Sequence, residues 1–224
     1  MADFPRRSQL IDLRRAAASD DRESAIALAL QQLRETVDAG DTVEITWPLD
    51  RDSAIATSLL GAPLALVVAS IVHGSDGAVV IHTRTALPAD FLTSPPTERI
   101  SFVFHLNCEE AAMRWERADV EPSKRLAAAA RLTAAGWQVW PCVGPVRCFS
   151  GWRDEYADLV NRAAAAGIKR LLVSFPGEDA MELKVSPDTD GLDAVATDEG
   201  YKFTVSGKHR REIYSFLKQC MQQG

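Results

Sequence analysis

The chain alternates between two hydrophobic periods, one typical of strands and one typical of helices. Residues 100–107, ISFVFHLN, are rich in Phe and Val and predict a buried strand with a polar end. Apolar residues at helical spacing then predict a helix that begins at Pro122 and ends at Gly136. Residues 137–143 predict a second strand, which Pro145 ends. A strand, helix and strand in this order require parallel pairing, and parallel units carry their sites at the carboxyl ends of the strands.

The rest of the chain repeats this alternation and predicts an α/β fold of roughly five strands. Residues 1–21 are charged and weakly periodic and predict at most a short helix. We therefore divide the chain into an N-terminal extension at 1–21, a main body at 22–178 and a C-terminal part at 179–224. The other predicted helices are at 22–39, 54–72 in part, 88–92, 152–166 and 209–221, and the other strands are at 42–47, 78–83, 169–175 and 201–205.

Composition narrows the class of protein. Hydrophobic residues make up 46% and charged residues 25% of the chain, which are ordinary values for a globular protein. A formal net charge of −6 argues against bulk electrostatic binding to nucleic acid or to an anionic membrane, but it leaves room for a local basic patch. The longest apolar run, 64–72, is too short to span a bilayer, and the N-terminus lacks an apolar signal core. We expect a cytoplasmic protein with no membrane partner.

The spacing of the cysteines excludes two kinds of metal site. Cys108, Cys142, Cys148 and Cys220 form neither a CxxC nor a CxxxCxxC pattern. This argues against a zinc finger and against the usual three-cysteine loop of an iron–sulfur protein. In a reducing compartment a structural disulfide is not expected either.

A set of motifs follows the strand, helix and strand described above. They are His105-Leu106-Asn107, Glu116, Arg125-Leu126, Ala135-Gly136-Trp137, Pro145, Gly151-Trp152 and Tyr156. In this order they resemble the radical S-adenosylmethionine superfamily, and within it the spore photoproduct lyase family. Residues 82–85, HTRT, and residues 201–214 extend the resemblance more weakly. The latter segment resembles the C-terminal hairpin with which that family engages DNA.

The resemblance implies a fold. This fold is α/β, a partial (β/α) TIM-like barrel of the radical S-adenosylmethionine type with a C-terminal β-hairpin and helix. The first strand of such a barrel has no counterpart among the predicted elements, which would leave one edge open. We expect the N-terminal segment, a second copy of the chain in a homodimer or a catalytic partner subunit to cover that edge.

The chain departs from the family at the residues that carry its chemistry. The family's CxxxCxxC loop should precede the helix at 22–39, where this sequence has no cysteine, and the Ser of its Ser-hydrophobic-Asn motif is replaced by His105. Without three thiolates there is no 4Fe-4S cluster to cleave S-adenosylmethionine. The resemblance therefore implies the scaffold without the lyase reaction, a pseudoenzyme, and we expect no cofactor.

Three residues fall at predicted strand ends and carry reactive side chains, namely His82, His105 and Cys142. If these ends meet, the two imidazoles and the thiol form a candidate catalytic group or a candidate metal site for zinc or iron. The alternative is that the histidines line an emptied site and bond to neighbouring groups or water.

A second candidate is a vestigial cofactor-binding pocket, formed by Asn107, Arg84, Arg114 and Glu116. Arginine binds phosphate and carboxylate groups in a bidentate manner, as a retained ligand pocket would require. The alternative is ordinary surface pairing of these arginines with nearby acidic residues.

The third candidate is a basic patch near the C-terminus. It consists of Tyr201, Lys202, Lys208, His209, Arg210 and Arg211. Such a hairpin could hold a nucleic-acid backbone with its cations while an aromatic side chain stacks on a base. The alternative is a solvated hairpin followed by the start of a helix.

Three hypotheses for function follow. The first is a cluster-free homologue that acts as a non-catalytic nucleic-acid-binding or accessory protein. The second is a repurposed metal-dependent enzyme that uses the strand-end His and Cys residues. The third is a protein-interaction scaffold in which the site is vestigial.

Overall fold

The computed structural model describes residues 9–86, 90–116, 120–175, 192–197, 200–205 and 207–223, and side chains are described outside residues 50, 192–207 and 223. The strands are β1 (Gln9–Ile11), β2 (Thr42–Thr46), β3 (Ala78–Thr83), β4 (Ile100–Leu106), β5 (Gln138–Val143), β6 (Leu172–Val173), β7 (Leu192–Thr197) and β8 (Gly200–Val205). The helices are α1 (Leu13–Ala17), α2 (Arg22–Asp38), α3 (Asp50–Leu60), α4 (Leu64–His73), α5 (Asp90–Thr93), α6 (Glu109–Trp115), α7 (Pro122–Ala134), α8 (Trp152–Ala165) and α9 (Gly207–Gln223).

The first six strands form one sheet in the order β1-β2-β3-β4-β5-β6. The pairs β1/β2, β2/β3, β3/β4 and β5/β6 are parallel. β7 and β8 form a separate antiparallel hairpin, and α9 follows it. This arrangement confirms the predicted fold class, an α/β partial barrel with a C-terminal hairpin and helix.

β1 lies inside the stretch that the sequence predicts as an N-terminal extension. Gln9 pairs with Val43 and Ile11 pairs with Ile45, so this segment covers the edge of β2. The N-terminal segment is one of the three alternatives that the sequence analysis gives for covering this edge. A run of three residues is too short for its period to distinguish a strand from a helix, and the predicted short helix begins only at α1. Part of residues 1–21 therefore belongs to the sheet.

The chain forms two compact units. The first unit contains residues 1–105 and 118–141, and the second contains 106–117 and 142–224. Within the second unit α9 packs on α8, where the rings of Trp152 and Phe216 are 5.5 Å apart. The domain limits at residues 21 and 178 stay a prediction.

The core of the first unit packs helices on the parallel strands. α2 and α4 bury apolar stripes, and the apolar residues of β2 alternate with half-exposed ones. An aromatic cluster fills one end, in which the Phe91 ring contacts the rings of Trp47, Phe102 and Trp137 edge-on at 5.0 to 6.1 Å. The packed strands β2, β3 and β4 carry the polar residues Glu44, His82 and His105.

Within the part of the chain that the structure describes, no single helix is both long and apolar enough to cross a bilayer, and only α3 and α4 taken together, bent by 66°, meet both requirements.

Candidate functional site

Two predicted site residues, His82 and His105, meet on neighbouring strands of the first unit. His82 is on β3 and His105 on β4, and Nδ1 of His82 lies 3.3 Å from Nε2 of His105. On the other side, Nε2 of His82 lies 2.9 Å from Oε2 of Glu44 on β2. This second contact is an ion pair in distance, although the ring nitrogen makes no well-aligned hydrogen bond. The result is a row of carboxylate, imidazole and imidazole across three strands.

The surroundings of His105 keep its ring neutral. Burial lowers the pKa of His105 from 6.5 to about 3, and the positive charges of Arg84, His82 and Arg125 act in the same direction. Arg125 is fully buried and its Nη1 donates to the carbonyl oxygen of His105 at 2.7 Å. A ring with so low a pKa is a weak general base at neutral pH, but it still offers one hydrogen-bond donor and one acceptor.

The two histidines open into a cavity of about 380 Å³, within the range of small-molecule sites. Its lining is Leu10, Arg14, Glu44, Thr46, Trp47, Leu49, His82, Thr83, Arg84 and His105. We call this cavity the strand-end pocket. It combines an apolar wall with two guanidinium groups, Arg14 and Arg84, and one carboxylate, Glu44. The predicted vestigial-pocket residue Arg84 therefore does line a cavity.

The third member of the predicted catalytic and metal group, Cys142, is buried and belongs to the second unit. Among the residues that the structure describes, no three His, Cys, Asp or Glu side chains are arranged to hold a metal ion. The hypothesis of a site made by His82, His105 and Cys142 thus remains a prediction.

The cysteines do not fit the iron–sulfur cluster of the radical S-adenosylmethionine fold. Such a cluster needs three thiolates from one CxxxCxxC loop, and none of the four cysteines has that spacing. Burial raises the pKa of Cys108 to about 11 and also raises the pKa of Cys148 and Cys220, which keeps these thiols protonated.

Two other residues of the predicted vestigial pocket, Asn107 and Glu116, form a closed hydrogen-bond network in the second unit. Asn107 Nδ2 donates to Glu116 Oε1 at 3.0 Å, while its Oδ1 accepts from Tyr156 Oη at 2.7 Å and from the Cys108 amide at 3.1 Å. The Tyr156 hydroxyl in turn accepts from the Arg147 amide at 3.2 Å. Asn107 and Tyr156 are buried, so the network ties α6, α8 and the end of β4 together.

The last residue of the predicted vestigial pocket, Arg114, is half-exposed and pairs with Glu110 one turn earlier in α6. Its guanidinium lies 5.8 Å from the centre of the Trp115 ring and 5.4 Å from that of Phe149. The guanidinium of Arg147 also lies over the Trp115 ring, 5.2 Å from its centre. Arg114 thus has an acidic partner on its own helix, and its place in a cofactor-binding pocket stays a prediction.

The predicted basic patch is described only in part. Lys208, Arg210 and Arg211 are exposed in the first two turns of α9, and His209 is half-buried there. Arg210 stacks over the Phe175 ring at 5.6 Å. The backbones of Tyr201 and Lys202 lie in β8, but their side chains are outside the described residues.

Sequence reasoning missed two residues of the strand-end pocket, Glu44 and Arg14. Glu44 carried a signal, since it is a charged residue in the middle of the otherwise apolar and β-branched strand TVEIT. Arg14 carried none, because it is one of several arginines in a weakly periodic segment.

Several solved structures share this fold. A spore photoproduct lyase variant with bound S-adenosylmethionine and dinucleoside spore photoproduct matches with a TM-score of 0.65 at 16% identity, over 90% of this chain and 64% of that one. A second variant, with a cysteine replaced by serine, matches with a TM-score of 0.66 at 16% identity, over 88% of this chain and 63% of that one. A complex with dinucleoside spore photoproduct matches with a TM-score of 0.65 at 16% identity, over 94% and 68%.

The chain spans just under two thirds of the length of the first of these proteins. No protein-family model and no curated protein matches the sequence. The structural matches confirm the resemblance that the central motifs indicate: this chain has the fold of spore photoproduct lyase, a radical S-adenosylmethionine enzyme.

Proposed function

We propose that this protein is a nucleic-acid-binding accessory protein built on a cluster-free radical S-adenosylmethionine scaffold. The observation that carries the proposal is the set of three exposed cations, Lys208, Arg210 and Arg211, at the start of α9. We call this set the α9 cation cluster. It follows directly on the β7–β8 hairpin, so cations and hairpin are joined in one segment of chain.

The position of the α9 cation cluster favours a binding role over a structural one. The amino end of a helix carries partial positive charge and is stabilised by acidic residues, whereas cations there are unfavourable. The first turn of α9 has no acidic residue. The cluster therefore lowers the stability of the helix and concentrates positive potential at its free amide groups, which is the arrangement that binds phosphate.

The fold gives independent support. Structures with the same fold hold a dinucleoside spore photoproduct. The scaffold is thus compatible with a nucleotide-sized ligand, while the cysteine spacing of this chain does not fit the cluster on which the radical reaction depends. Binding without that reaction, beside a catalytic partner, is the function that agrees with both facts.

The test is equilibrium binding of a labelled DNA duplex of about 20 base pairs, followed by fluorescence anisotropy at low salt. The variant with Lys208→Glu, Arg210→Glu and Arg211→Glu should bind at least about tenfold more weakly, because three attractions to phosphate become repulsions. Its free energy of unfolding should change by less than about 0.5 kcal/mol, because the acidic residues suit the helix end and offset the lost stacking of Arg210 on Phe175.

A matched control separates the cluster from net charge. Arg34, Lys124 and Arg131 are exposed cations on α2 and α7 of the first unit. Reversing all three changes the net charge by the same amount and should alter the affinity by less than about twofold. An equal loss in both triple variants, or no binding of DNA by the unaltered protein, would contradict the proposal.

A further inference from the structure

The lining of the strand-end pocket has two guanidinium groups and one carboxylate, and DNA binding through the α9 cation cluster uses none of them. Arg14 and Arg84 both line it, and neither guanidinium takes part in the ion pairs formed between described residues. The one carboxylate of the lining, Glu44, already faces His82 at 2.9 Å. Two guanidinium charges are therefore available to a ligand in the pocket.

The shape and chemistry of the pocket narrow the ligand further. Leu10, Trp47 and Leu49 are the apolar residues of the lining, and Leu10 is 61% exposed on the short strand β1. A volume of about 380 Å³ excludes a nucleic-acid duplex or a peptide strand but admits a small organic molecule. A ligand that matches both the charged and the apolar residues of the lining has an anionic end and an apolar or aromatic end.

His105 adds a neutral hydrogen-bonding group to this site. Burial lowers the pKa of His105 first, and Arg84, His82 and Arg125 add to this lowering; the positive charges of the two arginines also favour an anion near the ring. Guanidinium groups bind phosphate in a bidentate manner, and two of them match the double negative charge of a phosphate monoester better than the single charge of a carboxylate.

We propose that the strand-end pocket binds a small phosphate monoester, with the phosphate between Arg14 and Arg84 and the organic part against Trp47 and the two leucines. The pocket would thus be a second binding site of the protein, independent of the α9 cation cluster. The triple variant at Lys208, Arg210 and Arg211 should retain it in full.

The test is isothermal titration calorimetry of the full chain with phenyl phosphate, inorganic phosphate, phenol and benzoate. Phenyl phosphate should bind saturably, and each of the other probes should bind at least about tenfold more weakly, because each lacks the ring, the charge or the second negative charge. Benzoate binding as tightly as phenyl phosphate would overturn the assignment to a phosphate monoester.

The variants Arg84→Gln and Arg14→Gln should each weaken phenyl phosphate binding at least about tenfold, since each removes a charge-assisted hydrogen-bond donor. Arg34→Gln, an exposed arginine on α2, is the control and should leave the affinity unchanged. Arg84 is exposed, so Arg84→Gln is expected to fold normally. Its affinity for phenyl phosphate tests the proposal even if the half-buried Arg14 proves necessary for folding. Unchanged affinity in Arg84→Gln, or no saturable binding of phenyl phosphate, would overturn the proposal.

Discussion

The surroundings of His105 make its ring a poor acid–base catalyst at neutral pH. Its ring meets His82 on one side, and its backbone carbonyl accepts a hydrogen bond from the buried guanidinium of Arg125. Burial and the nearby positive charges lower its pKa to about 3. A neutral, weakly basic imidazole suits a binding role, which agrees with the absence of a lyase mechanism in the proposed function.

The low pKa of His105 predicts a pH dependence of stability. Above about pH 6.5 the ring is neutral in both the folded and the unfolded chain. As the pH falls from about 6.5 towards about 3, only the unfolded chain takes up the proton, so the free energy of unfolding should decrease. Urea unfolding of His105→Gln should show a shallower decrease over this range than the unaltered protein.

His73 provides the control for that experiment. It is an exposed histidine on α4, and its Nδ1 lies 2.7 Å from the Ala69 carbonyl oxygen of its own helix. His73→Gln should retain the full pH dependence. If His105→Gln and the unaltered protein lose stability in parallel, the account of His105 is wrong.

The hydrogen bonds of the Tyr156 hydroxyl group should also contribute to the stability of the fold. It donates to Asn107 and accepts from the Arg147 amide inside the second unit. Tyr156→Phe removes both hydrogen bonds of this hydroxyl group, one of them to the buried Asn107, and should lower the free energy of unfolding by about 1 to 3 kcal/mol. Tyr214→Phe, at a ring that is 57% exposed on α9, should change it by less than about 0.5 kcal/mol. Equal effects in urea unfolding would contradict the buried network.

At the scale of elements, the turn between α4 and β3 depends on one of its two glycines. A Cβ on Gly77 would lie 2.4 Å from the Asp41 carbonyl oxygen and 2.6 Å from Cα of Val37. These are backbone atoms at the end of α2, and they cannot move aside as a flexible side chain would. The Gly77 amide also donates to the Val37 carbonyl oxygen at 2.9 Å, so the turn lies directly against α2.

Gly77→Ala should therefore lower the free energy of unfolding by at least about 2 kcal/mol. Gly74 is the matched control in the same turn, because its added Cβ would meet only the Ser70 and Ile71 carbonyl oxygens at 3.6 and 3.8 Å. Gly74→Ala should change stability by less than about 1 kcal/mol. Thermal or urea unfolding measures both, and a tolerated Gly77→Ala would contradict the packing described here.

The elements that could be predicted from the sequence are those whose period extends over enough residues. β4 and α7 occupy the predicted positions because a long apolar alternation and a helical repeat with Pro and Gly at its ends leave little choice. β1 could not be predicted, since its three residues gain their structure from pairing with β2. The sequence places His82 and His105 at strand ends, and their rings do lie together in the structure. Arg14 lines the same pocket, but it follows β1, the strand that the sequence does not predict.

At the scale of the whole molecule, the protein has a negative net charge but carries a local cluster of positive charge. The chain carries a formal net charge of −6, yet three exposed cations stand together at the start of α9. Long-range repulsion between the protein and a polyanion weakens as salt screens it, whereas the release of counterions from the contacted phosphates is a local effect. Affinity for nucleic acid should therefore depend on this one cluster rather than on the protein as a whole.

The measurement that tests the central claim most directly is the salt dependence of DNA binding. Three phosphate contacts predict that the logarithm of the association constant falls with the logarithm of salt concentration with a slope of about −2.7, and that Lys208→Ala reduces the slope by about 0.9. Parallel titrations of both proteins over about 50 to 300 mM salt would show this. An unchanged slope in Lys208→Ala, or affinity that does not respond to salt, would contradict the account of this protein as a binder of nucleic acid through the α9 cation cluster.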